Sequence, residues 1–198
     1  MKSNSWLNRQ KKDIFIKDAK SQGYISRAAF KLIEIENKYN LISKSNNILE
    51  LGASPGSWTQ VLCQFNIKNK IDCIDLIDMK FYHKNINFIK KDFNEFDFIK
   101  NKKNYDLILS DLAPNTIGHA STDHLRIIEL IKNILDLIDN ILIDKGNFVF
   151  KIWKGSEEKE LIINLKKKFK NITYFKPNSS RKESSEIYII AREHILKI

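Results

Sequence analysis

The sequence predicts an α/β fold built on an open, mostly parallel β-sheet, and three observations support it. Short apolar or β-branched runs recur along the chain. Amphipathic helical patterns lie between them, and this alternation is typical of α/β domains. The 198 residues match the size of one domain, and no domain boundary interrupts them. We therefore expect a single domain over residues 1–198, in which residues 1–45 form an N-terminal helical extension.

Strands and helices can be assigned in chain order. Three segments have helical patterns, namely residues 26–36 with Ser26 as the expected N-cap, residues 123–144, and residues 157–169. A further helix should follow the loop after the first strand. Short apolar runs between turn residues predict seven strands, at residues 47–51, 70–75, 86–89, 105–110, 147–151, 172–175 and 186–191.

Composition restricts the function classes. No apolar run approaches the roughly 18 residues of a membrane-spanning helix, and Met1 to Gln10 lacks the apolar core of a secretory signal. We expect a cytoplasmic or organellar, for example mitochondrial, protein that is not secreted. The net charge of +10 favours a polyanionic partner. A chain rich in Lys, Asn and Ile could equally owe that charge to a biased genome.

Cysteine and histidine spacing argues against a metal centre. Cys63 and Cys73 form no CxxC pair and lie among apolar residues, so we expect buried free thiols. The four histidines have no ligand spacing, and no metal is assigned to His83, His119, His124 or His194.

A glycine-containing loop follows the first predicted strand. The segment LELGASPGSW at residues 49–58 leaves a strand, turns through two glycines and enters a helix, as in Rossmann-like sites for nucleotide-type ligands. Its spacing is not GxGxxG and no Lys-Ser/Thr pair follows, which disfavours NAD and ATP. S-adenosylmethionine, which bears adenosine but no phosphate, fits better. The candidate loop residues are Gly52, Ala53, Ser54, Pro55 and Gly56.

Three further residues are candidates for the cofactor site. Asp75 ends the second strand, where a carboxylate can accept hydrogen bonds from ribose hydroxyls. Asp92 follows the third strand and could bind the adenine amino group, while Trp58 could pack at the mouth of the site. Alternatively, the aspartates are turn residues at strand ends and Trp58 belongs to the core.

Ionisable residues also follow the central strands. Asp111 comes directly after residues 105–110, and Lys151 closes an apolar strand, so both should emerge at the carboxyl edge of a parallel sheet. Glu186 begins its strand instead. It reaches the same edge only if that strand runs antiparallel.

Five motifs follow one another along the chain. They are SRAAFKL at residues 26–32, GASPGSW at 52–58, SDLAPN at 110–115, FK at 150–151, and PNSSR at 177–181 with SEIY at 185–188. In this order they resemble the motifs of the FtsJ/RrmJ-type rRNA 2′-O-methyltransferases. Ser57 departs from the Gly that many bacterial relatives have, and we expect this small side chain to be tolerated. The resemblance covers nearly the whole chain.

The resemblance implies a Rossmann-like class I fold with helices on both faces of a seven-stranded sheet whose last strand is antiparallel. It implies S-adenosylmethionine as cofactor and rRNA, at a large-subunit uridine, as substrate, with the extension at residues 1–45 contributing to RNA binding. It places Asp111 in the cofactor site together with Gly56, Trp58, Asp75 and Asp92. It also implies a catalytic set, in which only the resemblance identifies the first member, consisting of Lys31, Asp111, Lys151 and Glu186.

Several roles stay open at this point. Lys151 could act as a neutral base, which the charge of Lys31 would favour, or as a cation that stabilises a developing alkoxide. Trp153 could stack on a base or pack internally, and residues 115–123 are a candidate substrate loop. Five cationic residues are candidates for phosphate contacts, namely Arg27, Lys31, Lys154, Arg181 and Lys182.

Partner and function have alternatives as well. We expect a monomer that acts on rRNA or the large ribosomal subunit, without a membrane. The alternatives are a tRNA 2′-O-methyltransferase, a non-catalytic RNA-binding or ribosome-assembly protein, and an NAD-dependent dehydrogenase. The segment at residues 6–10 and the short C-terminus look more like the rRNA branch. All four catalytic residue types are present, which favours an enzyme.

Overall fold

A computed structural model describes residues 13–65, 70–98, 100, 104–114 and 118–196. Within these residues lie five α-helices: α1 (Ile14–Ser21), α2 (Ala28–Tyr39), α3 (Ser57–Phe65), α4 (Ala120–Ile141) and α5 (Glu158–Lys166). A short 3-10 helix spans Phe93–Glu95. The strands are β1 (Ile48–Leu51), β2 (Ile71–Asp75), β3 (Ile86–Lys90), β4 (Tyr105–Ser110), β5 (Leu142–Trp153), β6 (Phe169–Phe175) and β7 (Glu186–His194).

The strands form one sheet in the order β3-β2-β1-β4-β5-β7-β6. Neighbours from β3 to β5 pair in parallel, whereas β7 is antiparallel to both β5 and β6. The predicted seven strands and the antiparallel last strand are thereby confirmed. The strand order reverses between β1 and β4, which is where open α/β sheets bind ligands, beyond the carboxyl ends of the strands.

Helices cover both faces of the sheet, as expected. On one face, α2 and α3 bury Leu32, Ile35 and Leu62. On the other, α4 and α5 pack Ile131 and Leu165 against the inner strands. Successive residues of a strand point to opposite faces, so each strand contributes side chains to both cores and the sheet lies between them.

Element boundaries differ from the sequence prediction in instructive places. Helix α4 ends at Ile141, and residues 142–146, three of them expected to be helical, begin a long β5. Leu142 and Ile143 continue the apolar spacing, so the pattern did not show the change. The predicted strand 147–151 was therefore too short. Helix α1 was not predicted, and residues 1–12 of the expected N-terminal extension lie outside the described residues.

Ser26 plays a different part from the expected N-cap. The cap residue of α2 is Arg27, and Ser26 Oγ accepts the Ala28 N–H at 3.2 Å. Ser26 Oγ also lies 2.7 Å from Ser57 Oγ at the start of α3. The serine that departs from the family motif thus joins the two helices that cover this face of the sheet.

Candidate active site

Asp111 and Lys151 meet at the carboxyl edge, as the strand-end argument predicts. Lys151 Nζ lies 3.0 Å from Asp111 Oδ1 and donates to the Asp111 backbone oxygen at 2.9 Å. Only 7% of Lys151 is exposed, so its amine is surrounded mainly by these protein partners instead of bulk water. Strands β4 and β5 are neighbours in parallel register, which brings the two side chains together.

Glu186 and Lys31 form a second pair at the same edge. Because β7 runs antiparallel, its first residue, Glu186, lies opposite Trp153 at the end of β5. Lys31 Nζ, from α2, lies 2.7 Å from Glu186 Oε2. The other carboxylate oxygen, Oε1, accepts the Ser180 hydroxyl at 2.9 Å. Both oxygens of Glu186 are therefore held by protein donors.

Tyr188 connects the two pairs. Its hydroxyl donates to Asp111 Oδ1 at 2.9 Å, and Lys31 Nζ lies 5.8 Å from its ring centroid. In the β5–β7 register Tyr188 stands directly opposite Lys151. Burial, reinforced by the nearby Asp111 and Glu186 charges, holds the pKa of Tyr188 well above its usual value. The phenol therefore remains a hydrogen-bond donor to Asp111.

Sequence reasoning missed Tyr188, although a signal was present. Residues two apart in a strand share a face, so Tyr188 had to lie on the same face as Glu186. The four predicted catalytic side chains and this tyrosine form one cluster of two lysine amines, two carboxyl groups and a phenol, in which Lys151 and Tyr188 are buried and the others half-buried.

A cavity of about 440 Å³ lies beside this cluster, beyond β1, β2 and β4. Five of the predicted cofactor residues line it, namely Gly52, Ser54, Asp75, Asp92 and Asp111. Its apolar wall includes Ile74, Leu76, Ile77 and Leu130. Asp111 belongs to both the cavity and the cluster, so a ligand in the cavity would lie next to Lys151.

Both aspartates at strand ends organise backbone as well as lining the cavity. Asp75 Oδ2 accepts the Ser54 N–H at 2.8 Å, and Oδ1 accepts the Ile77 N–H at 2.9 Å. Asp92 caps the 3-10 helix by accepting the Asn94 N–H at 2.9 Å. Each carboxylate oxygen has two lone pairs, so these bonds leave acceptor capacity for a ligand.

The other predicted loop residues pack against neighbouring parts of the protein. Ala53 is buried, the Ser54–Pro55 peptide is cis, and the Pro55 oxygen accepts the Lys80 N–H at 3.0 Å. Gly56 has a φ of 109°, and a Cβ there would lie 2.7 Å from Phe81 Cβ. Neither Ala53, Pro55 nor Gly56 is among the cavity-lining residues.

Trp58 does not lie at the mouth of the cavity, where it was expected. It is 2% exposed and belongs to the core between the sheet and helices α2 and α3. Its Nε1–H donates to the Ala28 oxygen at 2.9 Å, and its ring centroid lies 5.7 Å from that of Tyr188. The amphipathic position of α3 turns this side chain inward, so the alternative interpretation as a core residue describes its location.

Lys31, which pairs with Glu186, is one of the five cationic residues expected at phosphates, and the other four divide into two groups. Arg27 and Arg181 both contact Asp13, and Arg27 also donates to the Ser179 backbone oxygen. Burial, aided by the neighbouring Arg181, lowers the pKa of Arg27. In contrast, Lys154 and Lys182 are exposed.

The expected substrate loop is described only in part. Residues 115–117 lie outside the described residues, whereas the Gly118 N–H donates to Asp123 Oδ2 at 3.2 Å. His124, on α4, is buried and contacts the Trp153 oxygen at the end of β5 at 2.8 Å. It also accepts the Glu157 N–H, from the segment after β5, at 3.2 Å. Trp153 itself is half-buried.

Other side chains bear on metal and membrane binding. Among the described residues, no group of three or more His, Cys, Asp or Glu side chains could hold a metal ion. Cys63 and Cys73 are both buried free thiols, as predicted, and burial raises the pKa of Cys63 to about 11. No helix in the described part of the chain is long and apolar enough to cross a membrane.

Several known proteins are similar to this chain in sequence. Two proteins named ribosomal RNA large subunit methyltransferase E are similar over 96% of the chain. The one from Rickettsia africae is 38% identical, with 88% of its length covered, and the one from Granulibacter bethesdensis is 42% identical, with 84% covered.

Two solved structures are similar to this chain in fold. A structure assigned as a ribosomal RNA methyltransferase of Plasmodium falciparum superposes with a TM-score of 0.77 at 33% identity, over 88% of this chain and all of that one. Human methyltransferase-like protein 13, in complex with SAH, shares the fold alone, with a TM-score of 0.58 at 14% identity over 84% and 80% of the two chains. The model of the FtsJ-like methyltransferase family matches residues 24–194. The chain therefore belongs to the FtsJ-like methyltransferase family.

Proposed function

We propose that this protein transfers the methyl group of S-adenosylmethionine to a ribose 2′-hydroxyl of large-subunit rRNA, at a uridine. The observation that carries the proposal is the Lys151–Asp111 pair, because Asp111 both lines the 440 Å³ cavity and binds Lys151. Family membership and the names of the relatives support the reaction and the RNA class. The uridine rests on the resemblance of the motifs alone.

The cavity suits S-adenosylmethionine chemically. Its volume of about 440 Å³ is in the usual range for small-molecule sites. Carboxylates at the ends of β2 and β3, Asp75 and Asp92, can accept hydrogen bonds from ribose hydroxyls and from an adenine amino group. Apolar side chains such as Leu76 and Ile77 can cover the faces of the base. When bound, the cofactor would supply a methyl group attached to a sulfonium, whose sulfur is a good leaving group because it departs as a neutral thioether.

The residues around Lys151 would then position and activate the ribose hydroxyl. Lys151 Nζ already donates to the Oδ1 and backbone oxygens of Asp111. A charged amine has a third N–H for a developing alkoxide, whereas a neutral amine has a lone pair that can accept the hydroxyl proton. Tyr188 and Lys31 fix the two carboxylates. In both roles Lys151 touches the reacting oxygen.

Two substitutions test this proposal. We expect Lys151→Ala to reduce methyl transfer on the order of 100-fold or more while binding of S-adenosylmethionine is retained, because Lys151 is not among the cavity-lining residues. Asp111→Ala should weaken both. Methyl transfer would be measured with labelled cofactor and binding by calorimetry. Lys159→Ala, an exposed lysine on α5, is the control. Wild-type transfer by Lys151→Ala would refute the mechanism.

The same assay decides the substrate. Purified rRNA, assembled large subunits and tRNA, all from cells that lack the protein, would be offered separately. We expect methylation of the rRNA or the subunit, followed by mapping of the modified nucleotide. Methylation of tRNA alone would replace the proposal by the tRNA enzyme, and methylation of neither would favour a non-catalytic ribosome-assembly role. The proposed site of action is wherever these ribosomes are made, in the cytoplasm or an organelle.

A further inference from the structure

We propose that Glu34 is a positioning residue that acts through the loop between β6 and β7 to hold the Lys31–Glu186 pair. This inference rests on the proposed function only where it concerns catalysis. The loop is defined here as residues 176–185 and is called the β6–β7 loop.

One face of the N-terminal helix region is directed at this loop. Arg27, Lys31 and Glu34 are spaced by four and three residues, so their side chains lie on one side of α2. Arg27 donates to the Ser179 oxygen, Lys31 bonds Glu186, and Glu34 binds two backbone amides of the loop. Three consecutive positions on one helix face therefore contact residues 178–186.

Glu34 makes the most specific of these contacts. Its Oε2 accepts the Asn178 N–H at 2.6 Å, and its Oε1 accepts the Ser179 N–H at 2.8 Å. Hydrogen bonds from backbone amides to an ionised carboxylate are among the stronger ones in proteins. Ser179 is fully buried, so its amide would pay a desolvation cost without this acceptor. Both backbone polar groups of Ser179 are held by Glu34 and Arg27.

The next residue passes this constraint to the active site. Ser180 is 8% exposed, and its hydroxyl donates to Glu186 Oε1 at 2.9 Å. The remaining oxygen of Glu186 accepts the Lys31 ammonium at 2.7 Å. The contacts thus close a circuit from Glu34 to the loop, from the loop to Glu186, and from Glu186 back to Lys31 on the same helix.

The circuit predicts which kinetic parameter depends on Glu34. Glu34 does not line the cofactor cavity. Loosening the loop should therefore displace Glu186 and Lys31 while leaving the cofactor residues in place. Misplacement of catalytic groups by fractions of an ångström to one ångström lowers turnover strongly. We expect the effect in kcat, with little change in KM for S-adenosylmethionine.

The experiment combines a double-mutant cycle with hydrogen exchange on the full chain. The variants are Glu34→Gln, Glu186→Gln and their combination. Glutamine has the same size as glutamate but can accept only through one oxygen. Glu160→Gln, which removes an exposed charge paired with Lys132 on α4, is the matched control. Thermal unfolding of every variant verifies the fold, and Glu34→Asp tests partial rescue by a shorter carboxylate.

We expect Glu34→Gln to lower kcat on the order of tenfold and to leave KM for S-adenosylmethionine within about twofold. In the Glu186→Gln background the same substitution should have no further effect, because Glu34 acts through Glu186. Amide exchange over residues 177–186 should rise in Glu34→Gln and stay at the wild-type level in Glu160→Gln.

Three results would overturn the inference. They are equal factors of loss in both backgrounds, a kcat for Glu34→Gln at the level of the Glu160→Gln control, and unchanged amide exchange over residues 177–186. If the wild-type protein methylates no RNA, the proposed function fails. The exchange comparison still decides whether Glu34 holds the loop, so the two failures are distinguishable.

Discussion

Glu50 is a buried carboxyl group on β1, close to the loop that joins β1 to α3. It is 1% exposed, and its Oε2 accepts the Thr59 hydroxyl at 2.7 Å and the Cys73 thiol at 3.5 Å. Burial raises its pKa from 4.5 to about 8. Between these two pH values the unfolded chain loses this proton while the folded protein keeps it. Stability is therefore full below the lower value and falls as the pH rises towards 8.

Glu50→Gln should remove this pH dependence, because a glutamine resembles the protonated carboxyl. Relative to the variant, the free energy of unfolding of the wild type should fall on the order of 4 kcal/mol from about pH 5 to about pH 8. Urea unfolding across this range measures it, with Glu160→Gln as the exposed control. Parallel pH profiles for wild type and Glu50→Gln would contradict the assignment of a buried neutral Glu50.

The loop between β1 and α3 shows how one element constrains another. Gly52 has a φ of 78°, and a Cβ there would lie 2.9 Å from the Leu112 backbone nitrogen. Leu112 follows Asp111, so the close approach of two loop backbones helps to place the Asp111 carboxylate. Gly23 has nearly the same φ, 77°, but nothing lies within 4 Å of its Cβ position. The two glycines have the same left-handed backbone, in which an added side chain would be strained, but they differ in their surroundings.

This difference predicts unequal effects of the same substitution. Gly23→Ala should cost about 1 kcal/mol of stability, from the left-handed backbone alone. Gly52→Ala should cost roughly 1–3 kcal/mol more and weaken binding of S-adenosylmethionine, because Leu112 and Asp111 must move. Denaturant unfolding and calorimetric titration measure the two effects. Equal losses for both variants would show that Leu112 moves freely.

At the scale of the whole molecule, the charge of +10 is not equally available to a polyanion. Arg27 and Arg181 contact Asp13, and Arg27 also binds the β6–β7 loop, so their substitution should mainly affect stability. In contrast, Lys154 and Lys182 are exposed. The backbone N–H of Lys154 donates to the backbone oxygen of Ser185 at 3.0 Å, so the segment after β5 lies beside the segment that precedes Glu186.

Lys154→Ala and Lys182→Ala should each weaken RNA binding and lower the salt dependence. For each phosphate that a variant no longer neutralises, the slope of log affinity against log salt should shrink by about 0.7–0.9. Lys159→Ala changes the net charge equally on α5 and serves as the control. Titrations of RNA at several salt concentrations provide the slopes. Identical slopes for the control and both variants would place the RNA elsewhere.

Local patterns determined the layout of this protein. Strand and helix segments, the cofactor loop and the pairing of Asp111 with Lys151 all follow from apolar periodicity and from the meeting of parallel strand ends at one edge. These features depend on residues close in sequence or on a rule common to all such sheets. The predicted boundaries were least reliable between α4 and β5, where apolar spacing fits both a helix and a strand.

Only the tertiary structure decided which side chains complete the site. Lys31 and Glu186 are 155 residues apart, and Tyr188 and Asp111 are 77 apart. Packing also places the Trp58 side chain in the core and pairs Arg27 with Asp13. Such contacts leave no local pattern, because they depend on how helix α2 and antiparallel β7 pack beside the parallel strands. Sequence thus determined the edge of the sheet at which the candidate site lies, and packing determined the geometry of that site.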